Sequence, residues 1–396
     1  MNKIGVFGVN FDNKGAEAML ITLKEYLKKN YSEHFKLVIF YDSKLKSDFE
    51  NSDDNYLIFQ GPLNFFNHWV FAFNTIIYSW LRFIPFSRQT RIVKEISQCS
   101  LCVDLSGFAL TDDFSKNSGT RRSLIFLSQA IATKLSMKKY VILPQAIGPF
   151  KRTLNKHIVK CIIRLSDLSF NRGSYKFKLG KRLKSKCVKT TDIVFHKAFI
   201  EKYKLKERTV SNNHQVILNP NARIYHKSKS GEHYLEAQVT IIKKLLSNGF
   251  KVLLTPNEIR VGEFDDLQIC KILKENFQSN SNVILNENIE ILNLLNLISE
   301  SKFIITSRFH LMVFSLILKT PLIVISWSDK YNDIMSSFEI ENYCISDSSK
   351  TDKAIDSLLS DFQNVQEKIT TNLKVNSQQI DRSLSLFLDL LNNQLK

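Results

Sequence analysis

The stretch that decides the fold is Phe303-Ile-Ile-Thr306-Ser307-Arg308-Phe309-His310-Leu-Met-Val-Phe-Ser-Leu-Ile-Leu-Lys319-Thr-Pro321-Leu-Ile-Val-Ile325-Ser-Trp-Ser-Asp-Lys330. An apolar run, a short polar turn, a helical run ending near Lys319 and a second apolar run after a proline make a strand, a helix and a strand. That is one β-α unit of a parallel sheet.

Outward from it, the same alternation fills the chain. In the first half, strands are expected at Lys3 to Gly8, Lys36 to Tyr41, Tyr56 to Phe59, Leu101 to Leu105 and Tyr140 to Leu143, with short ones near Leu168 and Val188. Helices lie between them, as at Ala16 to Lys29 and Arg121 to Met137. A polar stretch from Glu201 to Asn213 reads as a linker, and a second set follows at Gln215 to Leu218, Lys251 to Thr255, Asn282 to Leu285, Phe303 to Thr306 and Leu322 to Ser326. The expected architecture is α/β with two Rossmann-like domains, residues 1–205 and 206–350, closed by one or two helices over 351–396. Leu384, Leu388 and Leu391 lie on one face of that tail.

The composition narrows the function. At 396 residues and 44% hydrophobic, the chain holds large cores, which excludes disorder. The net charge of +17 is confined to residues 1–200, where 32 basic residues face 15 acidic ones; the remainder has 23 of each. The first domain therefore expects an anionic partner, and the second is electrically neutral. Six cysteines in so long a chain make no disulfide framework, and Cys99-x-x-Cys102 has no second pair or nearby His to complete a zinc set. The opening residues read as a strand rather than a signal peptide, so a cytoplasmic location is expected.

Residues 62–86 are rich in aromatic side chains. Asn64, Asn67, His68, Asn74 and Arg82 interrupt them, which speaks against a membrane-spanning helix. Two readings stay open: helices packed over the first sheet, or a segment with Trp69 and Trp80 on one face, resting in a membrane interface beside the basic domain.

Three glycine-marked loops follow strands of the first domain. Gly5-Val-Phe-Gly8-Val-Asn10-Phe-Asp12-Asn13-Lys14-Gly15-Ala-Glu17 leads into a helix, without the spacing of a dinucleotide fingerprint. Asp104-Leu-Ser106-Gly107 runs on to Asp112-Asp113, and the third loop is Pro144-Gln145-Ala-Ile-Gly148-Pro149. All three are expected to converge at one sheet edge, where open α/β sheets bind ligands. Asn10, Asn13, Gly15, Glu17, Ser106 and Gly107 are the candidate binding residues there. No metal is expected, since the Asp112-Asp113 pair has no third ligand at a suitable spacing.

The sharpest site is Ser307-Arg308-Phe309-His310. Ser307 as the helix N-cap would put Arg308 and His310 in the first turn, where free N–H groups, the helix dipole and a guanidinium all favour an anion. A bound phosphate there would raise the affinity of His310 for a proton. Arg223 and Lys330, just past other strand ends, are further anion contacts, and the Pro256-Asn257-Glu258 turn lies at a third strand end. Asp265 and Asp266 read as helix-start carboxylates, and the remaining seven histidines as structural.

With these pieces in order, the chain resembles the polysaccharide pyruvyl transferase family from Lys3 to about Met335, most specifically at Ser307 to His310 and Pro321 to Lys330. Supporting pieces are Gly8 to Met19, Pro144 to Pro149, Arg172 to Tyr175, Asp192 to Val194, and Leu253 to Asn257 with Asp265-Asp266. The resemblance implies a GT-B-like pair of domains facing across a cleft. It also implies phosphoenolpyruvate as donor substrate on the C-terminal domain, with no cofactor, and transfer of its pyruvyl group to two sugar hydroxyls as a cyclic ketal with release of phosphate. The family's Arg-x-His motif falls on Arg308 and His310, and its donor-side arginine on Arg223. The chain departs from the family at Ser106-Gly107-Phe108 in place of a glycine-rich loop, at Pro256-Asn257 in place of a Pro-His turn, and in the distance of Arg223 from its strand.

On this reading His310 donates the proton to the enol, and Arg308, Arg223 and Lys330 hold phosphate and carboxylate. The acceptor, a sugar or a lipid-linked oligosaccharide, belongs to the basic first domain, and an anionic membrane surface at the inner face is a further expected partner. Asp12, Glu17 and Asp104 are the candidates for a hydroxyl-activating base. Two alternatives remain: a GT-B glycosyltransferase using a nucleotide sugar, and a non-catalytic binding protein of the same fold. Nucleic acid is not an expected partner, because no recognition motif accompanies the charge.

Overall fold

A computed structural model describes residues 2–9, 11, 13–41, 55–60, 69, 88–112, 118–173, 183, 185–204, 214–227, 231–259 and 265–393. Asn10, Asp12, Asp113, all of the aromatic segment except Trp69, and residues 205–213 of the expected linker lie outside the described residues.

The chain divides into two units. The first comprises Met1–Asn10, Met19–Ile193 and Gln379–Lys396, and the second Phe11–Ala18 and Val194–Gln378. In the first, β1 (Asn2–Phe7), β2 (Phe35–Tyr41), β3 (Tyr56–Gln60), β4 (Leu101–Asp104), β5 (Lys139–Gln145), β6 (Leu168–Arg172) and β7 (Cys187–Thr190) form one parallel sheet in the order β3-β2-β1-β4-β5-β6-β7. The order turns back at β1 and β4, which is the doubly wound pattern. Helices Arg88–Gln98, Ser118–Leu135 and Thr153–Leu165 bury Ile92, Val93, Ile96, Ala130, Ile158, Val159 and Ile162 in one core with Phe7, Phe40, Cys102, Tyr140 and Ile142. Each fully buried aliphatic side chain of this kind contributes about 1.5–3 kcal/mol.

The second unit repeats the plan. β8 (Gln215–Asn219), β9 (Lys251–Leu254), β10 (Val283–Leu285), β11 (Phe303–Thr306), β12 (Leu322–Ile325) and β13 (Cys344–Ile345) pair in parallel as β10-β9-β8-β11-β12-β13. The apolar runs expected from the sequence all became strands; β13, two residues long, carries too little pattern to be read.

The division falls at Ile193/Val194, ahead of the expected linker. Packing explains it: the rings of Phe195 and Phe338 lie 5.4 Å apart, and Phe199 stacks on Phe314 at 5.6 Å, so helix Lys197–Tyr203 belongs to the second core. The tail forms helices Thr351–Ser360 and Phe362–Asn392, and the second passes from one unit to the other at Gln378/Gln379. Its last part buries Leu384, Phe387 and Leu391, and Ser383 bonds Thr190 at the end of β7 at 2.8 Å. No helix among the described residues is long and apolar enough to cross a membrane.

Candidate active site

The second unit places its candidate residues where β8, β9 and β11 end. Asn219 closes β8; its amide donates to the Thr255 carbonyl at 2.6 Å and accepts from the Thr306 hydroxyl at 2.7 Å, tying three strand ends together. Thr306 Oγ1 also accepts the Arg308 N–H at 3.0 Å. The hydroxyl turn expected of Ser307 is thus made one residue earlier, and the residue preceding helix Phe309–Ile317 is Arg308. Ser307 is not the cap. It contributes its carbonyl, which accepts from Asn221 Nδ2 at 2.9 Å and from the Tyr331 hydroxyl at 2.8 Å.

Arg308 is buried between two carboxylates. Its Nη1 donates to Glu258 Oε2 at 2.5 Å and its Nη2 to Asp266 Oδ1. Burial opposes its charge, but the two carboxylates outweigh that and hold its pKa above the usual arginine range. Asp266 has the reverse balance: burial pushes its pKa up, and Arg308 pulls it back. Asp266 also accepts the backbone N–H groups of Ala222, Asn257 and Glu258 at 3.0, 3.2 and 3.1 Å. Arg223, with 19% of its side chain exposed, reaches the other oxygen of Glu258 at 3.3 Å. The two arginines and two carboxylates balance, so Arg308 is occupied as a brace, while the more exposed Arg223 is the guanidinium a ligand can reach. Asp265 caps helix Asp266–Glu275 through Leu267 N at 2.9 Å, the helix-start role expected of the pair.

His310 stands in the first turn of helix Phe309–Ile317, half-buried, its ring edge-on to Phe309 at 5.3 Å. Gly15 lies against it so closely that a Cβ at residue 15 would fall inside the imidazole. Gly15 is held by Asn13, whose side chain accepts its N–H at 2.9 Å and whose backbone bridges to Glu258. Glu17 pairs with Lys14 at 2.7 Å. Asn13, Gly15 and Glu17, expected on the acceptor side with the first domain, therefore group with the second unit. Lys330, in the first turn of helix Asp329–Ser337, sits over the rings of Trp327, Phe309 and Tyr331 at 4.8, 5.2 and 5.3 Å. Such cation–π contacts fix an ammonium without neutralising it.

In the first unit the remaining loops do converge. Gly8, at φ +81°, faces the Ser106 backbone so closely that any side chain there would strike it. Ala146 N bonds Gly107 O at 3.0 Å, and Gly148 N bonds Leu110 O at 2.8 Å. Gly107 adopts φ +68°, with the Arg172 guanidinium against it; Arg172 pairs with Asp192, both buried. Ser106 hydrogen-bonds Gln145 through its hydroxyl and Asp104 through its N–H, the latter at 2.8 Å. Asp112 receives the N–H groups of Lys151 and Arg152, each at 2.8 Å, and the Asn155 amide at 2.6 Å, so it anchors the start of helix Thr153–Leu165. Among the described residues no group of three or more His, Cys, Asp and Glu is placed to hold a metal ion.

Sequence reading passed over Asn219, Asn221, Tyr331 and the role of Glu258. The signal for Glu258 was its place beyond β9, in a turn already singled out.

Structures similar to this chain define its class. A putative UDP-N-acetylglucosamine 2-epimerase from Listeria monocytogenes has a TM-score of 0.60 at 11% identity, over 99% of this chain and 97% of its own. UDP-GlcNAc 2-epimerase from Neisseria meningitidis, bound to UDP-GlcNAc, gives 0.55 at 13%, over 98% and 100%. HepE from Anabaena, in complex with UDP-glucose, gives 0.57 at 11%, over 98% and 100%. The fold is GT-B-like, built of two Rossmann-like domains. No curated protein sequence matches the chain. Residues 13–329 match the polysaccharide pyruvyl transferase family, and the chain belongs to that family.

Proposed function

We propose that this transferase moves the pyruvyl group of phosphoenolpyruvate onto two hydroxyls of a sugar in a polysaccharide or its lipid-linked precursor. The observation that carries the reading is the second unit's group of His310, Lys330 and Arg223 around helix Phe309–Ile317, an acid and two cations beside a helix start. Phosphoenolpyruvate needs these groups: a proton at carbon 3, and positive charge for a carboxylate and a leaving phosphate.

His310 gives a proton to carbon 3, carbon 2 becomes electrophilic, and one sugar hydroxyl adds to it. Phosphate then leaves with the electrons of its C–O bond, and the second hydroxyl closes the ketal. Arg223 and Lys330 take the phosphate and carboxylate, and Arg308 acts by bracing the turn through Glu258 and Asp266. The basic first unit, in which Lys151, Leu154, His157 and Arg164 are all exposed, suits a lipid-linked acceptor at an anionic membrane face of the cytoplasm.

The test incubates the protein with phosphoenolpyruvate and a panel of sugars, nucleotide-linked and lipid-linked, and reads phosphate and product mass. His310→Ala should lower phosphate release by at least a hundredfold with an unchanged melting temperature. Release within threefold of wild type would remove His310 from the chemistry. Glycosyl transfer from a nucleotide sugar is the second reading, favoured by the UDP-sugars held in structures of this fold. A melting temperature raised by UDP-sugars and not by phosphoenolpyruvate would favour it.

A further inference from the structure

The positive charge of the first unit is concentrated in one tract. Residues 114–191 hold 19 Lys and Arg and a single acid, Asp167. That acid is already taken, since it accepts from Lys134 Nζ at 2.9 Å and from the Tyr140 N–H at 2.9 Å. The other cations of the tract have no counter-charge within it, so they suit an anion from outside.

Helix Thr153–Leu165 gathers this charge on one face. Ile158, Val159 and Ile162 are buried, while Leu154, His157, Cys161 and Arg164, spaced by three, four and three, form the exposed stripe opposite. Lys156, Lys160 and Arg164, each four apart, run along one flank, and none of them makes an ion pair among the described residues. Lys186 adds its ammonium at the far end, donating to the Arg164 and Ser166 carbonyls at 3.1 and 3.0 Å.

The kind of anion follows from the apolar side chains set among these charges. Leu154 is 64% exposed, and Met137, just before Lys138 and Lys139, is 90% exposed; no other large apolar side chains described are as open. A nucleic acid would pair the lysines with its phosphates and leave Leu154 in water. An anionic bilayer takes both, with phosphates for the cations and an acyl boundary for the leucine.

Strand order limits the contact to one side. β2 lies on one side of β1, and β5 and β6 lie beyond β4 on the other. Right-handed connections therefore put helices Lys14–Asn30 and Thr153–Leu165 on opposite faces of the sheet. Helix Thr153–Leu165 begins shortly after β5 ends, so Leu154 stands towards the edge that carries the strand-end loops.

We infer that the exposed face of helix Thr153–Leu165 docks the first unit on an anionic phospholipid bilayer, a contact whose purpose rests on the proposed function. Leu154 enters the boundary between headgroups and acyl chains, and Lys156, Lys160 and Arg164 meet the lipid phosphates. The loops at the strand ends are thereby held near the surface where a lipid-linked acceptor is presented.

Sedimentation of the full chain with vesicles of phosphatidylcholine and phosphatidylglycerol tests this, with pure phosphatidylcholine as the neutral arm. At physiological ionic strength the attraction reaches only about 8 Å, so a charge on the far face of the sheet counts little. Wild type should sediment with the anionic vesicles alone. Lys156→Glu with Lys160→Glu should weaken binding about twentyfold at an unchanged melting temperature. Leu154→Ser should weaken it about fivefold. Lys28→Glu with Lys29→Glu, the same change of charge on the opposite face, should stay within about twofold of wild type. Equal losses in the two charge-reversed proteins, or none in either, would overturn the docking face. So would an oligonucleotide bound more tightly than the vesicles together with a silent Leu154→Ser. Sedimentation needs no donor, so the two proposals fail separately. A wild type that releases phosphate from phosphoenolpyruvate but does not sediment overturns the docking face alone. One that sediments but releases no phosphate with any acceptor overturns the transfer and supports the docking face.

Discussion

The edge of the second sheet brings four formal charges into contact, Arg223, Glu258, Arg308 and Asp266, whereas at the edge of the first Ser106 joins the Asp104 carboxyl to the Gln145 amide, beside the Arg172–Asp192 pair. Both sheets turn back at the same point of the same strand order, so topology supplies the position and the side chains supply the chemistry. The charged edge is internally neutralised, which lets it hold helix starts and nearby cations rigidly before an anion arrives. At the first edge Asp104 is fully buried, and burial raises its proton affinity. The proposed donor, a phosphate ester, and the proposed acceptor, a polyol, would call for such a contrast.

The largest effect should come from the charged edge. Asp266→Ala removes one of the two carboxylates on Arg308 and leaves the N–H groups of Ala222, Asn257 and Glu258 buried without their acceptor. Breaking a buried pair of this kind costs about 3–5 kcal/mol. Denaturant unfolding should show that loss, and a midpoint near that of wild type would mean that the charges are not the frame of this edge.

Asp104→Asn probes the first edge, where the effect should depend on pH. The folded pKa of about 7 lies above that of an unfolded aspartate, so the native state keeps a proton the unfolded chain gives up. This stabilisation is complete below about pH 4 and fades as pH rises to about 7. The substituted amide has no such proton to keep. Relative to wild type, the variant should gain stability between about pH 4 and pH 7 and stay level above that, as read from unfolding midpoints at several pH values. A constant difference would show that the carboxyl titrates normally, and that burial at the first edge does not perturb it.

Much of this was legible in the chain, for reasons that particular residues make plain. Apolar runs such as Phe303 to Thr306 and Leu322 to Ile325 can only be strands when glycine, proline or polar turns bound them, and each became one. The places of His310 and Lys330 in the fold were legible, because each follows an apolar strand and opens a helix. The partners of Arg308 were not, since Glu258 and Asp266 lie 50 and 42 residues away and meet it only through the strand order. Ser307 misled because two adjacent hydroxyl residues compete for one cap, and Thr306, last in its strand, already faced the Arg308 N–H. Residues 11–18 misled too: helix Lys14–Asn30 is one continuous pattern, yet its first turn groups with the second unit.

That first turn supports the smallest prediction, which compares two glycines. At Gly107 the backbone itself, at φ +68°, demands glycine; at Gly15 the demand comes from the His310 ring occupying the space a Cβ would take. Gly15→Ala should therefore leave the backbone unstrained and displace the imidazole, lowering kcat about tenfold, or ~1.4 kcal/mol, while changing the melting temperature little. Its pH–rate profile should shift as well, because an imidazole moved from the start of helix Phe309–Ile317 leaves the field of the helix end. Gly107→Ala should do the converse, losing about 1 kcal/mol of stability to strain with no shift in the profile. If the Gly15 variant instead loses stability and keeps its profile, residues 11–18 are only packing for the second unit, and His310 is positioned by helix Phe309–Ile317 alone.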